Sequence, residues 1–356
     1  MNKIKAAAWS FAMTVLALLL IIALLVVYVD PFFHYHEPLA GFPYFIDNQL
    51  SQNPGMAARM NYDSCIIGSS MTVNFNTNDF REELGLDTIK LSYSGALPRD
   101  DKNILAIVFD KDSLSYGRNG IKAVFMAMDP IVMTADTDAT KYPLPEYLYD
   151  DNYINDIKYL FNKDVLFRYI LKPFVQKQGS DLATIYYSWW TPEYYDESWV
   201  MHNYQPAKEA DEETPEDAYI ERTLANMETN ILPFIRDNPD TRFYIFLPAY
   251  SVLHWYDVSK ERHLDATLAQ VAYIGEMLME YDNVELYDFM TDEETVTNIN
   301  NYADIIHFRP EYNSYMVSCF ASGERRLEKG DMERVCNDMR QIISGYDYQA
   351  LFERNP

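Results

Sequence analysis

The chain has 356 residues, 48% hydrophobic and 23% charged, enough to bury one large core or two modest ones and too apolar for disorder to be the default. With 54 acidic residues against 29 basic ones, the formal charge is −25. That balance argues against nucleic acid or any polyphosphate as an electrostatic partner, and its simplest role is to keep an exposed surface soluble. Cys65, Cys319 and Cys336 have no metal-type spacing and no even-numbered framework. Cys65 reads as a buried thiol, and Cys319–Cys336 is the one pairing left as an alternative to free thiols.

Residues 1–5 read as a short cytoplasmic tail. Ala6 to Val29 then runs 24 residues without a charge. At about 1.5 Å per residue it reaches roughly 36 Å, enough to cross a hydrocarbon core with some tilt. A cleaved signal has a shorter apolar core and a small-x-small exit, whereas this run leaves through Val27-Tyr28-Val29-Asp30, so an uncleaved single-pass anchor is expected. Lys3 and Lys5 precede it and the next positive charge after it is Arg59, which places the N-terminus in the cytoplasm and the rest outside the cell membrane.

Residues 30–61 are rich in aromatics and Pro without a sustained period, and are expected to be a juxtamembrane linker packed on the domain or the lipid interface. His34 and His36 could face one way in a strand, but no third ligand is apparent and a structural role is expected. No metal or cofactor motif is evident.

From residue 62 the pattern turns α/β. Short continuous apolar runs at Ser64–Ile67, Thr88–Leu91, Lys122–Met128, Arg242–Leu247 and Val284–Tyr287 alternate with helical patterns, among them 78–84 and 99–110. Such runs predict a parallel sheet covered on both faces. The expected fold is a flavodoxin-like three-layer α/β sandwich with about five parallel strands spanning 62–345, followed by a C-terminal tail at 346–356. A long insertion, 131–213, is dense in Tyr and Trp, including Tyr142, Tyr147, Tyr149, Tyr186, Tyr187, Trp189, Trp190, Tyr194 and Tyr195. It could serve as a sugar-stacking platform or lid, as its own small core, or as a surface for a membrane partner. Thr214-Pro215-Glu216-Asp217 predicts a helix start reaching about Arg236, and a second helix is expected from about Asp257 to Tyr281.

The first apolar strand stops at Gly68-Ser69-Ser70, and Asp304-Ile305-Ile306-His307 follows the last. A serine hydroxyl becomes nucleophilic when an imidazole removes its proton, and a carboxylate fixes the imidazole's tautomer. Polar residues after strand ends line the crevice where ligands bind in open α/β sheets. Each half of the pair is weak alone; their joint placement is more specific.

Gly68-Ser69-Ser70, Ser94-Gly95 and Asp304-x-x-His307 resemble blocks one, two and five of the SGNH (GDSL-type) hydrolases, over roughly residues 62–130 and 240–320. Gly-Ser-Ser-Met-Thr with Asn74-Phe75, Leu91-Ser92-Tyr93-Ser94-Gly95 and Tyr302-x-Asp304-x-x-His307-Phe308-x-Pro310-x-x-Asn313 are most similar to membrane-anchored extracytoplasmic members. Those resemble the proteins of teichoic-acid D-alanylation and alginate O-acetylation. The resemblance implies Ser70 as nucleophile, His307 as base, Asp304 as its partner, and the Ser70 and Gly95 N–H groups as an oxyanion hole. It implies an esterase or O-acyltransferase acting on a cell-envelope polymer or surface glycan, with a membrane-bound O-acyltransferase as the partner to expect. The alternative is a degenerate scaffold subunit of an envelope-modifying complex. One departure stands: the family's third block supplies an Asn, and here Asp129 takes that place. An ionised carboxylate cannot donate to an oxyanion. Ser69, Asp129 and Arg309 are candidate substrate-binding residues. Loop or capping roles are expected for Asp288 and Asp292, and packing or surface roles for His254 and His263.

Overall fold

The computed structural model describes residues 2–150, 152–188 and 191–355; Trp189 and Trp190 of the aromatic insertion lie outside them. Five strands, β1 (Ser64–Ile67), β2 (Thr88–Lys90), β3 (Ala123–Ala127), β4 (Arg242–Leu247) and β5 (Val284–Asp288), form one sheet in the order β2-β1-β3-β4-β5. All pairings are parallel, and one register row crosses the sheet from Ile89 through Cys65, Val124 and Phe243 to Val284. This is the flavodoxin-like order, whose connections reverse direction at β1 and β3, so the end of β1 opens into a crevice.

Both faces are covered, which is why the strands read as unbroken apolar runs. On one face Phe125 meets Phe80 of the helix Thr77–Leu84, with ring centroids 4.6 Å apart, and Phe320 of the helix Pro310–Ser322 at 5.5 Å. On the other, Phe243 packs on Phe109, which stacks on Phe234. Cys65, Cys319 and Cys336 are all buried free thiols, so the Cys319–Cys336 pairing is not made.

Before the sheet stand two helices, α1 (Asn2–Val29) and α2 (Gln49–Arg59). α1 is long and apolar enough to cross a membrane, with little of it buried against the rest of the chain. α2 adds a regular element to the expected linker. Its Asn48 cap accepts from the Ser51 N–H, and Met56 and Ala57 enter the main core. The insertion is broken into short helical pieces, which pack Leu148, Tyr159, Val165, Tyr169 and Ile170 against Val26 and Val29 of α1.

Two expected helices differ. The first begins at Ile220, because the Thr214 hydroxyl is taken by His263 Nδ1 at 2.8 Å instead of capping. A wider-wound stretch, Met227–Ile231, then leads into Pro233, which has no N–H to continue the ladder. The second divides into Val252–Lys260 and Leu264–Leu278 where Arg262 adopts φ +57°.

Candidate functional site

The turn after β1 is built by its own hydroxyls. The Tyr93 N–H donates to Gly68 O (2.9 Å), and the Thr72 hydroxyl bridges Ser69 O (2.9 Å) and Ser92 Oγ (2.7 Å). This crosslinks the segments after β1 and β2 and lifts Ser70 onto a single helical turn, Ser70–Thr72. Asn313 Nδ2 reaches Met71 O from the helix Pro310–Ser322 at 3.5 Å.

His307 and Asp304 come from the segment after β5. Its ends are drawn together by the Tyr302–Phe308 bridge and by the Ala303 N–H to His307 O bond (2.9 Å). The loop is tied back to the end of β4 by Ser251, whose N–H and hydroxyl both reach Ile305 O, and by the Tyr302 hydroxyl on Ala249 O. Within it Asp304 Oδ1 accepts the Ile306 and His307 N–H groups, each at 2.8 Å. Asp304 Oδ2 stands 2.6 Å from His307 Nδ1, and His307 Nε2 stands 2.8 Å from Ser70 Oγ. With Nδ1–H donated to the carboxylate, Nε2 is left as the acceptor for the serine proton. Burial pushes the Asp304 carboxyl up, but His307 and the two backbone N–H groups outweigh it and hold the group below its ordinary range. The carboxylate is therefore ionised wherever an imidazolium would need it.

Gly95 follows β2 with φ +75°, a backbone conformation that calls for glycine, and the flexible end of the Lys141 side chain lies over it, Cε 2.9 Å from where a Cβ would stand. Among the described residues neither the Ser70 nor the Gly95 N–H donates to another hydrogen-bonding group. The two donors expected of an oxyanion hole are unspent.

Asp129 is not turned outward as a substrate ligand. Its carboxylate accepts the Ser69 hydroxyl (3.4 Å) and the Ile131 N–H (3.1 Å), and the buried Tyr250 hydroxyl faces it. Ser69 Oγ in turn accepts from the Met71 N–H. Asp129 and Ser69 thus shape the serine turn from beneath. Burial raises Asp129 above the ordinary carboxylate range in spite of those donors, and it is close enough to Asp101 for the two charges to repel. Arg309 lies with its guanidinium over the Tyr195 ring (5.5 Å to the centroid), and its backbone N–H holds Asn301 O.

Several neighbours had no local sequence signal. Lys141 crosses Gly95 from the insertion, and Asp100 accepts the Lys141 N–H at 2.8 Å. Tyr195, also from the insertion, is buried within electrostatic range of Asp304 and Arg309. Asn53 of α2 donates to Leu91 O and Ser92 O and accepts from the Tyr186 hydroxyl. These are long-range meetings that no spacing in the chain announces.

The remaining candidates are occupied elsewhere. Asp288 holds Thr291, while Asp292 receives the Tyr312 and Thr295 hydroxyls and pairs with Arg325 at 2.8 Å. His36 bridges Glu37 O and Val27 O, and His34 lies 3.3 Å from Asp156. His254 packs on Tyr250 and Trp255, and burial pushes it down to about 4. His263 joins Thr214 and the Tyr219 hydroxyl. Among the described residues no group of three His, Cys, Asp or Glu side chains gathers to hold a metal. A cavity of about 640 Å³ opens at the other end of the sheet, lined by Thr88, Arg59 and Phe42, and contains none of the three hydrogen-bonded residues. In comparisons with known proteins no family model matches the chain, and no curated protein matches it either.

Proposed function

We propose that the chain is a membrane-anchored serine esterase or O-acyltransferase of SGNH type that works through an acyl-enzyme on Ser70. The observation that carries this reading is the pair of contacts at His307: 2.8 Å to Ser70 Oγ and 2.6 Å to Asp304. Ser70 Oγ attacks an acyl carbonyl as His307 Nε2 takes its proton, and the tetrahedral oxyanion is received by the Ser70 and Gly95 N–H groups. The imidazolium then protonates the leaving oxygen. Water or an acceptor hydroxyl, deprotonated by the same nitrogen, releases the acyl group. Each backbone donor to the oxyanion contributes on the order of 3 kcal/mol to the transition state.

The apolar α1, with Lys3 and Lys5 in its first turns ahead of the uncharged run, supports a single-pass anchor with its N-terminus in the cytoplasm and the α/β domain outside. The substrate class that fits such a position is a cell-envelope polymer or surface glycan, its acyl donor presented by a membrane-bound O-acyltransferase.

Reaction of the full-length protein in detergent with a fluorophosphonate probe tests the chemistry. Labelling is expected on Ser70 alone and is expected to vanish in Ser70→Ala. Asp304→Asn should keep the fold and slow labelling by about 10³- to 10⁴-fold, the cost of the wrong imidazole tautomer. Undiminished labelling of Ser70→Ala would sink the assignment. If Ser70→Ala, His307→Ala and Asp304→Ala all left envelope acylation unchanged while loss of the whole chain altered it, a scaffold role would replace catalysis.

A further inference from the structure

The chain's acidity hides one local exception. Between Ile157 and Lys177 stand Lys158, Lys163, Arg168, Lys172 and Lys177 against the single carboxylate of Asp164, in a protein whose net charge is −25. The same stretch is apolar on two sides. Val165, Tyr169, Ile170 and Pro173 are buried, while Phe167, Phe174 and Val175 are 62%, 65% and 75% exposed, with Phe161 and Leu171 exposed beside them. Phe167, Leu171, Phe174 and Val175 recur at helical spacing, so they form a stripe rather than a scatter. A helical segment that is apolar on two faces satisfies one against protein and needs a second apolar medium for the other.

Its buried face shows where that medium would be. Val165, Tyr169 and Ile170 pack with Tyr159 against Val26 and Val29, and Ile22 and Leu25 join the same cluster from α1. Ile22 to Val29 covers about 10 Å of the helix axis. The segment therefore lies alongside the outer end of the apolar helix, at the depth where interfacial helices bury an apolar face by about 5–10 Å. Arg168 turns back onto Asp47, and the four lysines are exposed around the stripe.

We infer that residues 157–177 are an interfacial membrane-docking element. Phe167, Leu171, Phe174 and Val175 enter the boundary between headgroups and acyl chains, and Lys158, Lys163, Lys172 and Lys177 meet lipid phosphates. The inference rests on the anchoring read from α1. It adds that the bilayer contacts the insertion as well as the helix, which fixes the height and tilt of the α/β domain over the membrane.

Spin-label accessibility in the full chain tests it, because the three native thiols are buried and an introduced cysteine takes the label. Phe167→Cys, Val175→Cys, Leu16→Cys in α1 and Lys329→Cys as an exposed reference are reconstituted in vesicles of phosphatidylcholine with phosphatidylglycerol. Labels at 167 and 175 are expected to relax with oxygen and be shielded from a water-soluble nickel chelate, like Leu16→Cys and unlike Lys329→Cys. Changing the four lysines to Glu should restore nickel access at 167 and 175 while Leu16→Cys remains shielded. Nickel access at 167 and 175 with a shielded Leu16→Cys would overturn the docking element, leave the anchor standing and make a protein partner the remaining occupant of the stripe. Nickel access at Leu16→Cys would overturn the anchor and the inference with it.

Discussion

Asp129 stands where a donor to the oxyanion would be expected, and its neighbours explain how a carboxylate is kept there. It accepts the Ser69 hydroxyl and the Ile131 N–H, and so holds the turn that presents Ser70. Those bonds do not offset the loss of water: burial keeps its carboxyl above the ordinary range. A group raised in this way contributes stability that is fully present below its unfolded value, about pH 4, and is lost as pH rises through the folded value. Asp129→Asn keeps an acceptor for Ser69 and carries no such loss. Thermal unfolding should therefore show the variant more stable than the parent at pH 8, with the difference closing as pH falls toward 4. An equal Tm at both pH values would mean that the carboxylate is not under strain. The same substitution removes a negative charge from beside the serine turn, and should speed fluorophosphonate labelling of Ser70 by roughly fivefold, about 1 kcal/mol of barrier.

Among the elements, what could be read from the chain followed how local its cause was. All five strands were legible because a strand buried on both faces is a continuous apolar run, and the Phe125 and Phe243 faces each have their cover. The serine turn was legible because it sits immediately after β1, and the Asp304–His307 segment because its two side chains stand three residues apart in the chain that follows the last strand. Lys141 over Gly95 and Tyr195 beside Arg309 were not, since each depends on where a long insertion returns. The start at Thr214 misled because its hydroxyl had a distant competitor in His263. α2 was hidden for a related reason: Pro54 and Gly55 in its middle weaken any helical reading, yet Gly55 is what lets the chain pass. A Cβ at Gly55 would lie 1.9 Å from Phe32 O and 2.7 Å from the Phe33 carbonyl, both backbone. Neither can swing aside, so Gly55→Ala must part α2 from the turn that follows α1. A loss of about 3 kcal/mol or more is expected, measured as the unfolding midpoint of the full-length protein in detergent. A midpoint within a degree of the parent would show that the crossing is slack.

At the scale of the molecule, the apolar helix and the α/β domain are joined by a clasp instead of a loose tether. Asp30, fully buried at φ +47°, accepts the N–H groups of His34, Tyr35 and His36 at 2.6–3.0 Å and the Tyr159 hydroxyl at 2.8 Å. Tyr35 and His34 meanwhile reach Asp156, so one buried cluster locks the end of α1, the turn after it and the insertion together. Phe32 closes it, stacked on Tyr159 and edge-on to Tyr169. Alanine at position 30 would leave three N–H groups and a phenol without their acceptor in a place water does not reach. It would also force a side chain with no polar atom into the left-handed region. The combined loss is about 3–5 kcal/mol. Ser70, His307 and Asp304 touch none of these groups, so the damage should be separable. In Asp30→Ala the initial rate of fluorophosphonate labelling is expected to stay within about twofold of the parent. Limited proteolysis of the same protein in vesicles should gain cleavage between residues 30 and 48. If labelling collapsed in step with cleavage, the clasp and the serine site would be one cooperative unit. If cleavage did not change, the hydrogen bonds to Asp30 would not be what holds the domain to its helix.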